Sequence, residues 1–197
     1  MKSSRIPLLI LILGLGIGCG GGGGSSSSGG GGAPPPAPAG NNVLLVTVNG
    51  SLCSNNSYLN KPCVSVTVCP PGTTTCQPID DILLDTGSFG LRIFRQVLNV
   101  SLSPVSSGAG SLAECVQFAD GTSDWGPVET ASAILGNEPA VQVPIHVLDS
   151  TFGPVPGQCG IPRKSPSEAG YNGILGVGLF VHDCGSGCTN SPNNGVY

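Results

Sequence analysis

The stretch Ile82-Leu83-Leu84-Asp85-Thr86-Gly87-Ser88 places a carboxylate directly after an apolar strand and before a tight glycine turn. Its three leading residues are apolar enough for a strand that is buried on both faces. The hydroxyl groups of Thr86 and Ser88, with neighbouring backbone N–H groups, can hold the oxygens of Asp85 in one orientation. Asp85, Thr86, Gly87 and Ser88 can therefore hold a carboxylate in a fixed, hydrogen-bonded loop, and the alternative is an ordinary tight turn.

The rest of the chain has the pattern of an all-β protein. Apolar and polar residues alternate with period two over Val64–Val68 and Val141–Val147, which predicts half-buried strands. The run Val43–Val48 is apolar enough to predict a strand buried on both faces. Glycine and proline, 32 and 18 of 197 residues, interrupt the chain too often for long helices. Only Phe94–Val100 is predicted to form a short helix.

Two further stretches predict hairpins. Pro70-Pro71-Gly72 lies between Cys69 and Cys76, which predicts a turn closed by a disulfide at its base. Asp120-Gly121 predicts a second hairpin turn.

The order of these segments resembles the N-terminal lobe of the pepsin-like aspartic peptidases. In that family a flap hairpin rich in Gly and Thr follows the Asp-Thr-Gly loop, and Gln117–Gly126 is similar to it. An apolar-apolar-Gly segment then passes beside the catalytic loop, and Tyr171–Gly178 is similar to that. The resemblance covers Val43–Phe180. The sequence is also similar to a bacterial family of exported, cysteine-rich proteins of unknown function that is related to these peptidases.

The resemblance implies a single disulfide-stapled lobe, a partly open β-barrel or sandwich, that acts on or binds a peptide or protein without cofactor or metal. It assigns a catalytic role to the loop Asp85, Thr86, Gly87 and Ser88, substrate contacts to flap residues and a structural role to the apolar-apolar-Gly segment. The flap residues are Phe118, Gly121, Thr122 and Trp125, and the structural residues are Gly173, Ile174, Leu175 and Gly176. Two departures are that the flap stretch has no Tyr and that Arg92 stands where a Trp is usual.

The chain supplies only half of such an active site. Aspartic peptidases use two carboxylates about 3 Å apart that share one proton, and a second Asp-Thr-Gly or Asp-Ser-Gly does not occur in this sequence. Three explanations follow. The chain is a fragment that lacks the second lobe, a non-catalytic lobe that binds peptides or an envelope partner, or a symmetric homodimer in which each subunit supplies Asp85.

The N-terminus predicts export. Lys2 and Arg5 precede an apolar run that ends in small residues before Cys19, which is typical of a lipoprotein signal over residues 1–19. The alternative is ordinary cleavage nearby, with Cys19 as a spare thiol. Residues 20–42 are rich in Gly, Ser and Pro and predict a disordered, flexible tether. We expect residues 43–197 to be the β domain, held in the bacterial cell envelope by a lipid anchor.

The other eight cysteines predict a disulfide framework, since exported proteins meet an oxidising compartment. Proximity in sequence suggests the pairs Cys53–Cys63, Cys69–Cys76 and Cys184–Cys188, which leaves Cys115–Cys159. The alternative is a zinc site at His182, Cys184 and Cys188, but zinc requires reduced thiolates. We therefore predict no metal.

The charge and the remaining motifs exclude other classes of function. Beyond Arg5, five Lys and Arg face eleven Asp and Glu, a formal charge near −6. An acidic surface of this kind lacks the basic patch that binds nucleic acid. It also disfavours electrostatic binding to anionic lipid, which leaves the acyl chain as the link to the membrane. No Gly-x-Ser-x-Gly elbow is present. We expect His146 to be an outward-facing or hydrogen-bonded strand residue.

Overall fold

The computed structural model describes residue 40 and residues 42–54, 59–107 and 110–179. The predicted signal, Cys19, most of the predicted tether and the Cys184–Cys188 pair lie outside these residues, as does the zinc alternative. Within the described part, no helix is long and apolar enough to cross a membrane.

The described chain is all-β, with one α-helix of four residues and two turns of 3-10 helix. The strands are β1 Thr47–Val48, β2 Pro62–Cys69, β3 Gln77–Asp85, β4 Phe89–Phe94, β5 Ser103–Pro104, β6 Ser106–Ser107, β7 Gly110–Ser111, β8 Ala113–Gln117, β9 Ser123–Leu135, β10 Val141–Leu148 and β11 Gly173–Val177. The helix α1 is Pro166–Ala169, and the 3-10 turns are Arg95–Val97 and Gly157–Cys159.

Six of the strands close into a barrel. Their order is β2-β3-β11-β4-β10-β9, and β9 pairs back onto β2, where Val66 opposes Leu135. Most neighbours are antiparallel, but β11 runs parallel to β3 and β10 runs parallel to β4. Closure removes the free edges of these six strands, which an open sheet would leave unpaired.

The barrel is filled by the side chains that period-two alternation turns inward. The central cluster combines β-branched, leucine and alanine side chains from all six strands: Val64, Val66, Val68, Ile79, Ile82, Leu91, Ile93, Ala131, Ile145, Val147 and Leu175. A second cluster, Phe94, Leu148, Tyr171 and Ile174, packs at one end. Apolar burial of this kind contributes about 25 cal/mol for each Å² removed from water.

Two of the predicted elements differ from the structure. In the apolar run Val43–Val48 only Thr47 and Val48 form a strand, and Leu45 and Val46 are exposed because no layer covers them. The stretch Phe94–Val100 holds a single 3-10 turn in place of a helix, since β4 continues to Phe94. The α-helix lies at α1 instead, where Ser165 caps its first turn.

The structure forms three of the four suggested disulfides. They join Cys53 to Cys63, Cys69 to Cys76 and Cys115 to Cys159. The second closes the β2–β3 hairpin at its turn, and the third ties β8 to the segment before α1.

Candidate functional site

Asp85 ends β3 at one rim of the barrel. Its Oδ1 atom accepts a hydrogen bond of 2.9 Å from the backbone N–H of Gly87, which closes a tight turn before β4 begins. Asp85 is half-buried, while Thr86 and Gly87 are exposed. The carboxylate is therefore held by the backbone of its own turn and remains open to a ligand from outside.

Strand β11 lies between β3 and β4, the two strands that the Asp85 turn connects. Gly176 is in register with Asp85 on one side and with Gly90 on the other. Beyond the strand, the N–H of Gly178 donates to the carbonyl of Ser88 over 2.8 Å. The structure thus brings the predicted structural segment Gly173–Gly176 directly beside the end of β3 and the Asp85 turn.

The close approach of β11 explains its glycines. A Cβ atom on Gly173 would lie 2.3 Å from the carbonyl oxygen of Arg92, and one on Gly176 would lie 2.5 Å from the nitrogen of Phe89. One on Gly178 would lie 2.8 Å from the carbonyl oxygen of Ser88. Since the nearest obstructing atoms are backbone, a side chain on Gly176 or Gly178 would push the Asp85 turn away, and one on Gly173 would displace β4 at Arg92.

A hairpin other than the predicted one lies at the Asp85 end of the barrel. Strand β10 is parallel to β4, so both begin at the end where the Asp85 turn enters β4. Strand β9 is antiparallel to β10 and ends there. The β9–β10 turn, residues 136–140, is therefore near the Asp85 turn, whereas the β8–β9 turn, residues 118–122, is at the opposite end.

The residues predicted to contact substrate are consequently not brought to Asp85. Trp125 is 8% exposed and donates through Nε1 to the carbonyl of Phe152 over 2.7 Å. The guanidinium of Arg163 lies over the ring of Phe118, with its Cζ atom 4.8 Å from the ring centroid. Thr122 donates to Asp120, and Gly121 has a φ of +84° in the turn. These residues lie at the end of the barrel opposite Asp85, because β9 begins there at Ser123.

An apolar cavity of about 670 Å³ lies between the β9–β10 hairpin and the start of β4. Phe89, which follows the Asp85 turn, and Gly176, the strand partner of Asp85, both line it. The other lining residues are Gly90, Leu91, Ala133, Leu135, Glu138, Pro139, Val141, Val143, Pro144 and Leu175. This volume is within the range of about 300–1,000 Å³ found for ligand pockets.

The sequence patterns did not predict the β9–β10 hairpin, although Gly136 after Ile134-Leu135 is a turn signal.

Arg92 supports the first residue of β4 from the outer face of the barrel. It alternates with the core residues Leu91 and Ile93, is fully buried, and donates from Nη1 to the carbonyl of Phe89 over 2.6 Å. His146 is its neighbour on β10 and is also fully buried, with Nδ1 3.6 Å from Oε2 of Glu114. Burial and the positive charge of Arg92 lower the pKa of His146 well below its ordinary value.

A buried ion pair holds the segment that leads into β11. Nζ of Lys61 lies 2.5 Å from Oδ1 of Asp81 and donates to the carbonyl of Gly170 over 2.7 Å. The other carboxylate oxygen of Asp81 accepts from Ser54, and the backbone carbonyl of Asp81 accepts from the N–H of Asn172. The pair thereby connects β3 to the residues immediately before Gly173.

One group of possible metal ligands occurs in the described residues, namely Cys53, Cys63 and Asp81. The two sulfur atoms are bonded to each other. They are therefore not thiolates, which is the form that binds a metal.

A comparison with protein-family models matches residues 38–197 to a family described as "Protein of unknown function (DUF3443)". A comparison with curated proteins gives no match.

Proposed function

We propose that this chain, which belongs to the DUF3443 family of proteins of unknown function, is a pepsin-like lobe that contributes Asp85 to an aspartic-peptidase centre. The observation that carries this proposal is the insertion of β11 between β3 and β4, with Gly176 in register with Asp85. Pepsin-like lobes combine an Asp-Thr-Gly turn with an apolar-apolar-Gly strand, and here the two motifs are adjacent in space.

The chemistry would be the hydrolysis of a peptide bond by two carboxylates. One, ionised, takes a proton from water as the water attacks the carbonyl carbon, and the other, protonated, donates to the carbonyl oxygen. The C–N bond of the resulting gem-diol would then break as the first carboxyl group gives the proton it took from water to the departing amine, and a gem-diol hydroxyl would return a proton to the second carboxylate. Asp85 would be one member, with its Oδ1 oriented by the N–H of Gly87.

The second carboxylate would come from a further lobe or from Asp85 of a second subunit. Apolar side chains at the Asp85 end support a covering partner: Val177 of β11 is 47% exposed and Val141 of β10 is 59% exposed. Surfaces of this kind mark interaction sites when they are contiguous.

The test is cleavage of denatured casein at acid pH by the purified full-length chain and by two variants. We expect pepstatin-sensitive cleavage that is lost in Asp85→Asn and retained in Asp80→Asn, which removes an exposed carboxylate from the same strand. Activity per mole of chain that rises with protein concentration would identify a second subunit as the source of the other carboxylate. Cleavage unchanged in Asp85→Asn would overturn the assignment.

The second candidate is a non-catalytic lobe that binds peptides in the cell envelope. It is favoured by the single Asp-Thr-Gly of the sequence together with the apolar cavity, which needs no second carboxylate to bind a ligand. Peptide binding without cleavage, in both the native chain and Asp85→Asn, would support this function over the first.

Export and lipid anchoring at Cys19 belong to either function. They are supported by Lys2 and Arg5 followed by an apolar run and the cysteine. In cells that express the full chain, we expect Cys19→Ser to move the protein from the membrane fraction to the soluble fraction. An unchanged distribution would exclude an anchor on that cysteine.

A further inference from the structure

Among the described residues, Glu138 is the single charged residue that lines the cavity beside the Asp85 turn. Glu138 belongs to the β9–β10 turn, where its N–H donates to the carbonyl of Leu135 over 3.1 Å. Because it both lines the cavity and is exposed, Glu138 lies at the rim. In the part of the chain that the structure describes, no positively charged residue lines the cavity.

The deeper part of the cavity is apolar. Leu91 and Leu175 belong to the central core of the barrel, and Ala133 and Val143 pack against that core. A ligand that enters must therefore present apolar groups inward, since a polar group would lose its hydrogen bonds to water without replacing them.

The remainder of the domain adds a weak attraction for cations. Beyond Arg5, eleven acidic residues face five basic ones. A net negative charge raises the local concentration of positively charged ligands near the surface.

Building on the peptide ligand of the proposed function, we propose that this site selects peptide segments in which a bulky apolar residue adjoins a Lys or Arg. The apolar side chain enters the cavity between Leu91 and Val143, and the cation meets the carboxylate of Glu138 at the rim. The apolar group supplies most of the affinity, because burial of a Leu or Phe side chain strengthens binding by about tenfold or more. Glu138 supplies the preference for a basic neighbour.

The experiment measures binding of fluorescent peptides to the full-length chain that carries Asp85→Asn, so that cleavage does not remove the probe. Three otherwise identical peptides contain Leu-Lys, Leu-Gln or Ala-Lys at their centre. We expect Leu-Gln to bind about two- to fivefold more weakly than Leu-Lys, the size of a partly exposed ion pair. We expect Ala-Lys to bind about tenfold more weakly or worse.

Two further variants localise these effects. Glu138→Gln should abolish the difference between Leu-Lys and Leu-Gln, while Asp80→Asn, which removes an acidic group outside the cavity lining, should leave it intact. Ala133→Phe should fill the cavity and reduce binding of both Leu peptides, with circular dichroism confirming that the barrel is folded. High salt should shrink the Lys preference and leave the Leu preference in place.

A Lys preference that survives Glu138→Gln would overturn the role of Glu138. Equal binding of Leu and Ala peptides, unchanged binding in folded Ala133→Phe, or no binding by any peptide would overturn the site. These outcomes are separate from the fate of the catalytic proposal, because selective binding in Asp85→Asn stands even where the native chain cleaves nothing.

Discussion

Gly176 faces Asp85 across the parallel pair of β11 and β3, and a Cβ atom on this glycine would lie 2.5 Å from the backbone nitrogen of Phe89. We predict that Gly176→Ala lowers the free energy of unfolding by about 1–3 kcal/mol, since backbone must move to admit the methyl group. Urea unfolding measures the loss. Gly157→Ala is the control, because a Cβ atom there meets nothing within 4 Å. Equal effects of the two substitutions would contradict the close approach of β11 to the turn.

Lys61 and Asp81 form an ion pair whose side chains are 0% and 2% exposed. We predict that Lys61→Met destabilises the domain by about 3–5 kcal/mol, because it leaves the buried carboxylate of Asp81 without its cation. Asp80→Asn, on the exposed neighbour, should change stability by no more than about 0.5 kcal/mol.

The double variant Lys61→Met/Asp81→Asn checks that the cost comes from the unpaired charge. It should be less destabilised than the sum of its two single variants, as coupled neighbours are. Strict additivity in thermal unfolding would rule out the pairing.

His146 makes the stability of the domain depend on pH. Burial and the charge of Arg92 hold its pKa below the ordinary value of 6.5 in the folded state, so the unfolded chain binds the proton first. The free energy of unfolding is therefore undiminished by His146 above about pH 6.5. Below that pH it falls, by at most about 1.4 kcal/mol for each pH unit. We expect the melting temperature to drop between pH 7.5 and 5.5, and His146→Gln to flatten that drop. The same slope in His146→Gln would show that other groups cause it.

The disulfides should differ in what they contribute. Cys115 and Cys159 are 44 residues apart, whereas Cys69 and Cys76 are 7 apart. On the loop-entropy model the longer loop contributes about 4 kcal/mol and the shorter about 2.5 kcal/mol. We predict that Cys115→Ala/Cys159→Ala lowers the melting temperature more than Cys69→Ala/Cys76→Ala. The reverse order would show that native packing at β8 and the β2–β3 turn outweighs chain entropy.

Local pattern was sufficient to predict the strands over Val64–Val68 and Val141–Val147 and the tight turn that follows Asp85. Val64, Val66 and Val68 alternate with polar residues and do line the barrel, as period two requires. The Asp85 turn and the glycines around Gly176 are each marked by their own short motifs, and the structure places them together.

Strand direction could not be inferred from local pattern. Asp120-Gly121 and Gly136-Asn137 both have turn chemistry, and only the direction of β9 in the barrel decides which turn lies at the Asp85 end. The ion pair of Lys61 with Asp81 was missed for a similar reason. Two charged residues near apolar strands are ordinarily solvated, and here Lys61 is buried with a hydrogen bond to the carbonyl of Gly170, a residue distant in sequence.

The position of β11 also dictates when the Asp85 turn takes its final form. Gly173 pairs with Ile82 and with Ile93, residues that are synthesised long before it. Contacts so distant in sequence form slowly, because the intervening chain must first be ordered. We therefore expect the Asp85 turn to gain its contacts with Gly176 and Gly178 only after residues 173–178 have been synthesised.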